Sequence, residues 1–148
     1  MKKIFTTIIF IVFCIFSAYG QLHGTGTFSE PYYGTLDANE TISDTAYIGG
    51  NIFNAGYILT ISPGTIIAFK NSGYYFEISG SGTMIAEGTS SQNILFTADY
   101  DHDSIYGETG EYTGNIVLNN SSNSSFDYCE FENCDGAYGS AIDIFGAW

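Results

Sequence analysis

The chain of 148 residues contains no arginine and only three lysines, Lys2, Lys3 and Lys70, against 16 acidic residues. Phosphate backbones are gripped by Lys and Arg, so this balance excludes nucleic acid as a partner and argues against an anionic membrane surface. Proline is nearly missing, with two residues. No stretch spaces apolar residues at 3.6 with helix caps, which excludes a helical domain. The two histidines, His23 and His102, are too isolated to suggest a Cys/His or Ser/His pair. Three cysteines, Cys14, Cys129 and Cys134, are too few for a zinc framework.

What is present begins with the leader MKKIFTTIIFIVFCIFSAYG. Lys2 and Lys3 form a positive start, Ile4 to Phe16 is almost uninterruptedly apolar, and Ala18 and Gly20 are small residues where a signal peptidase requires them. A membrane span needs about 20 apolar residues, and this run falls short. Residues 1–20 are therefore expected to be a cleaved signal peptide, which makes the protein secreted or cell-surface, with no membrane insertion after cleavage. Cleavage leaves Lys70 as the sole basic side chain against 16 carboxylates, a net charge of −15. Calcium, neutral sugars and cationic surfaces are compatible with such a charge. Cys129 and Cys134 lie five apart in CEFENC. In an exported chain they can pair if the backbone turns at Glu132-Asn133; otherwise they are two small apolar residues packed in the core.

The remainder is rich in Gly, Ser, Thr, Asn, Tyr, Phe and Ile, an all-β composition. Apolar runs of four to six residues alternate with turn residues such as Pro63-Gly64, Asn71-Ser72-Gly73 and Gly80-Ser81-Gly82. The runs repeat. Ile61 and Ile85 are 24 apart, as are Gly64-Thr65 and Gly88-Thr89; NILF (93–96) and NIVL (115–118) are 22 apart; AIDI (141–144) follows NIVL by 26. One such run cannot bury its own apolar face, but stacked runs can, each bonded to its equivalent about 4.8 Å away.

LTISPGTIIAF (59–69), GTMIAEGT (82–89) and NILFT (93–97) together resemble the opening coils of secreted bacterial right-handed parallel β-helix proteins, the pectate-lyase-like architecture. Similar proteins resume with a Trp-x-Gly-Ile strand, where this chain has Tyr112-Thr113-Gly114-Asn115-Ile116; the residues between Thr97 and Gly114 are then an insertion leaving the coil. The resemblance implies an all-β solenoid with coils of roughly 22–26 residues over 46–148, preceded by a linker and N-terminal cap at 21–45. AIDIFGAW reads as the start of a further strand without a polar cap, so the chain is expected to be the front part of a longer protein.

The insertion TADYDHDSIYGETGEYTG (97–114) carries the chemistry-bearing residues. Asp99, Asp101 and Asp103 alternate as calcium-loop carboxylates do, with Glu108 nearby as a fourth candidate; an EF-hand would need Gly at Ser104 and Glu at Gly110. A solvated loop is the alternative. Tyr74, Tyr75 and Tyr100 are candidates for stacking on sugar rings, and Tyr74 and Tyr75, as neighbours on a strand, should face opposite ways. The resemblance implies that a polysaccharide lyase of this architecture would need a basic residue, and only Lys70 is available, read as a solvated residue at a strand end; hydrolases of the architecture use paired carboxylates. No pair of carboxylates recurs at the repeat offset on an outer face. These observations point to an exported structural or binding scaffold contacting glycan or a cell-surface protein, without catalysis in this segment. The competing expectation is the front end of a polysaccharide lyase or glycoside hydrolase whose active site lies beyond residue 148.

Overall fold

A computed structural model describes residues 21–120, 123–134 and 140–146. The expected signal peptide lies outside the described residues. Among them there is no helix, and the chain is all-β. β1 (Leu22–His23) pairs antiparallel with β2 (Tyr32–Thr35); every other strand-to-strand pairing is parallel.

Successive passes of the chain feed three ladders. The first holds β2, the end of β4 (Thr45–Asn54), β7 (Tyr75–Ser79), β10 (Asn115–Asn119) and β13 (Ile142–Phe145). The second, a separate sheet, holds β3 (Glu40–Ile42), β5 (Ile58–Ile61), β8 (Thr83–Glu87) and β11 (Ser125–Asp127). The third holds the start of β4, β6 (Ile66–Phe69), β9 (Ile94–Ala98) and β12 (Cys129–Phe131). Because β4 runs through both the first and the third ladder, these join in one curled sheet of nine strands. Gly49 lies midway along β4, where a Cβ would come within 2.2 Å of the Pro31 ring. Only a residue without a side chain lets the neighbouring pass lie so close.

Alternate residues point inward and stack along each ladder. Ile52, Phe76, Ile116 and Ile142 form one column; Ile42, Ile61, Ala86 and Phe126 a second; Ala46, Ile67, Phe96 and Phe131 a third. The columns meet in one apolar core that draws on both sheets. Phe96 and Phe131 stack face to face at 4.6 Å, and Phe69 meets Phe76 edge-on at 5.8 Å. Burying each such side chain contributes about 1.5–3 kcal/mol, which no single strand of three to five residues can gather alone. A polar exception, fully buried Asn54, donates to the carbonyls of Tyr57 and Thr83 and accepts from the amides of Gly56 and Tyr57, so it closes the turn at no unpaired cost.

The ladders revise the repeat. Ile116 stacks on Ile142, as the 26-residue offset of AIDI requires. Ile61, however, pairs with Ala86, and Ile85 pairs with Thr60; the true offset is 25, and a shift of one residue moves a side chain to the other face. NILF and NIVL do not stack, because β9 lies in the third ladder and β10 in the first. The ladders also start earlier than residue 46: β2 and β3, inside the expected linker and cap, are already paired. Only β1 behaves as a cover, closing the free edge of β2 with an antiparallel pair. The inserted residues 99–114 do leave the ladders as a loop.

The register has a direct consequence for stability. Met84 is fully buried and its neighbour Ile85 half-buried on the outer side. Met84→Ala is expected to cost about 2–5 kcal/mol and Ile85→Ala less than about 1 kcal/mol in urea unfolding. The reverse order would contradict the 25-residue register.

Candidate functional site: the acidic loop and the outer face of the first ladder

The loop is anchored at both ends. The Asp99 amide donates to the Phe69 carbonyl at 3.1 Å, which extends the third ladder by one residue and draws the carboxylate inside. The Asp99 side chain is fully buried. Its Oδ2 accepts from the Tyr47 hydroxyl at 2.9 Å and its Oδ1 from the His102 amide at 2.7 Å. Burial, reinforced by this bond to Asp99, pushes the Tyr47 hydroxyl pKa well above the ordinary tyrosine value. At the return, the Gly107 amide donates to the Ala98 carbonyl at 3.0 Å, and Asn133 Nδ2 donates to the Gly107 carbonyl.

Within these anchors the chain folds its carboxylates together. Asp99, Asp101 and Asp103 each place an oxygen within 4.8 Å of the others, with Asp99 buried and the other two exposed. Glu108 is exposed; the charge of Asp103 foremost, with Asp101, Glu111 and Asp99 adding, holds its carboxyl above the usual carboxylate range. Glu111, outside this trio, is buried as well. Its Oε1 accepts from the Tyr100 amide at 2.6 Å, and its Oε2 is buried without a partner among the described residues. In sequence Glu111 sits off the alternating register; only the fold of the loop brings it back to Tyr100.

The tyrosine candidates separate. The Tyr100 hydroxyl donates to the Tyr112 carbonyl at 2.8 Å and accepts from the Tyr112 amide at 2.9 Å, so it braces the loop from within. Tyr74 packs against the core. Tyr75 points outward, as the neighbour rule required, and meets Phe53 edge-on at 5.9 Å. It lines a shallow groove of about 230 Å³ with Glu77, Val117, Asp143 and Phe145. Glu77, Val117 and Asp143 are successive rung partners on this face. Asn115 Nδ2 donates to Asp143 Oδ2 at 3.2 Å, and the Ser140 hydroxyl donates to Oδ1. An outward carboxylate pair therefore does recur along a ladder. The inserted loop stretches the Glu77-to-Val117 offset to 40, which hides the relation in the sequence.

Lys70 is not a solvated strand-end residue. Its ammonium donates to the Phe28 carbonyl at 2.9 Å and lies 3.7 Å from the centre of the Phe28 ring. The His102 ring stacks on the same Phe28 at 4.2 Å, tying the loop to the turn before β2. His23 stacks on Tyr33. Cys129 and Cys134 stand as free thiols, without the bridge their spacing permits. Cys129 is half-buried, with Sγ 3.2 Å from the Ala86 carbonyl, while Cys134 Sγ lies against the Glu132 carbonyl. Burial raises both thiol pKa values.

No protein-family model, no curated protein and no solved structure matches the chain.

Raised pKa values and partial burial slow thiolate chemistry. Alkylation of the unreduced, unfolded chain is expected to label both Cys129 and Cys134. In the folded protein labelling should be slower by tenfold or more than for a free peptide thiol. A mass two hydrogens short, with no labelling, would show a disulfide instead.

Proposed function

We propose that the chain is an exported right-handed parallel β-helix scaffold at the bacterial surface that works by binding glycan, without catalysis in these residues. Three parallel ladders fed in turn by successive passes of the chain support the β-helix reading. The leader supports export. The observation that carries the binding role is the outer face of the first ladder. Tyr33, Phe53 and Phe145 are exposed there, and Tyr75 is half-exposed. Aromatic faces on a rigid sheet suit sugar rings, and flanking carboxylates Glu77 and Asp143 can accept hydrogen bonds from sugar hydroxyls. With a net charge of −15 and one basic side chain in the mature chain, the glycan is expected to be neutral.

One observation favours a second reading, the front part of a polysaccharide-degrading enzyme. Glu77 and Asp143 are two rungs apart on one face. Two rungs span about 9.6 Å, near the upper end of the separation that inverting glycosidases use. Asp143, held by one bond to each oxygen from Asn115 and Ser140, would be the fixed member of such a pair.

Native affinity electrophoresis against neutral and acidic polysaccharides tests the proposal. Retardation by a neutral glycan, weakened about 3–10-fold by Tyr75→Ala or Phe145→Ala, is the expected result. Retardation by none, or variants that bind as well as the parent, would refute it. Release of reducing ends that is abolished by Glu77→Gln would favour the enzyme.

A further inference from the structure

Two carboxylates of the loop are removed from water without a cation beside them. Asp99 is 0 % and Glu111 7 % exposed. Asp99 is met by the Tyr47 hydroxyl and the His102 amide. Glu111 is met on one oxygen alone, and its other oxygen, Oε2, is buried and unpartnered. Buried anions are ordinarily paired or bound to a metal. No lysine serves the purpose: Lys70, the only one after residue 20, holds its ammonium on the carbonyl and ring of Phe28, and the His102 ring is stacked on the same Phe28.

The unpartnered oxygen belongs to the same loop as the three aspartates. Glu111 is held by the amide of Tyr100, the residue between Asp99 and Asp101. The oxygens of Asp99, Asp101 and Asp103 lie no more than 4.8 Å from one another. Two oxygens on opposite sides of a calcium ion, bound at 2.3–2.6 Å each, are about 4.6–5.2 Å apart, so all three reach a single ion. No nitrogen or sulfur ligand belongs to the group. An all-oxygen set with several carboxylates suits calcium and not zinc.

From this convergence we propose that the loop is a calcium site, with the converged Asp99, Asp101 and Asp103 as ligands and the unpartnered Oε2 of Glu111 drawn in as a further one when the ion binds. Glu111 is the ligand that the alternating spacing of the aspartates does not announce. The ion neutralises a group of carboxylates that otherwise repel one another. It also fastens the loop to the body of the protein, because Asp99 is bonded to Tyr47 of β4 and His102 is stacked on Phe28. This site is independent of the glycan face, since none of its residues lines that groove.

Terbium, which takes calcium sites and is excited through nearby tyrosines, reports directly on the loop: Tyr47 and Tyr100 bond its carboxylate groups. The full exported chain is titrated with terbium and the emission displaced with calcium; calorimetry gives the stoichiometry. One ion per chain, calcium preferred over magnesium at least tenfold, and a thermal midpoint that rises with calcium are expected. Glu111→Gln, and separately the exposed pair Asp101→Asn with Asp103→Asn, should each weaken calcium at least tenfold. Asp37→Asn, an exposed carboxylate elsewhere, should leave it unchanged. The aspartate pair, being on the surface, keeps the test valid if the Glu111 variant does not fold. Absence of saturable calcium binding at 10 mM, equal preference for magnesium, or unchanged affinity in a folded variant of either kind would overturn the proposal.

Discussion

The structure depends on one constraint, the parallel register that sets each residue beside its equivalent in the next pass of the chain. Apart from the two residues of β1 and the ten of β4, the strands have three to five residues, with too little apolar surface to hold themselves together. They gain it by stacking, so that Phe96 lies on Phe131 and Ile116 on Ile142. Each ladder both satisfies the backbone and defines which side chains are inside. A slip of one residue would send Met84 and Ala86 outward and Thr60 and Ile85 to the wrong neighbours. Glycines such as Gly114, where a Cβ would fall 2.2 Å from the Tyr74 carbonyl and 2.4 Å from the Phe69 ring, keep the passes close enough for the register to hold.

Both candidate surfaces follow from that register. The proposed glycan face is the outward half of the first ladder, where every second residue is free of the core: Phe53, Glu77, Val117 and Asp143 in line. The acidic loop leaves at the end of β9 and returns at β10, so it occupies the passage between the third ladder and the first. The ladder delivers Asp99 already buried and already bonded to Tyr47, and the other carboxylates gather around that fixed point. A chain almost without basic residues has no side chain to spare for neutralising them.

Much of this was legible in the sequence. Composition and short apolar runs between turn residues gave the all-β class; the neighbour rule separated Tyr74 from Tyr75; the acidic insertion was recognisable as a loop, and AIDI took its expected place. What stayed hidden has a physical cause. Repeat matching follows turn chemistry, and Gly64-Thr65 and Gly88-Thr89 match as turn residues at 24, whereas hydrogen bonding sets the strands at 25. NILF and NIVL look alike because both are buried parallel strands, not because they share a ladder. Phe126 and Cys129 both reach the core although three residues apart, because Tyr128, with φ at 46°, breaks the alternation between β11 and β12. The Glu111–Tyr100 bond and the alignment of Glu77 with Asp143 arise across a loop or across passes, which local spacing does not encode.

The register is tested most directly by cross-linking across one rung. Thr60 and Ile85 are partners on the outer side of the second ladder. Parallel rungs about 4.8 Å apart fall within the Cα separation a disulfide accepts. In a cysteine-free background, Thr60→Cys with Ile85→Cys should form an intramolecular disulfide readily under mild oxidation, while Ile61→Cys with Ile85→Cys, the pair that the 24-residue repeat suggests, should not. Efficient closure of the second pair and not the first would contradict the stacked register on which the account rests.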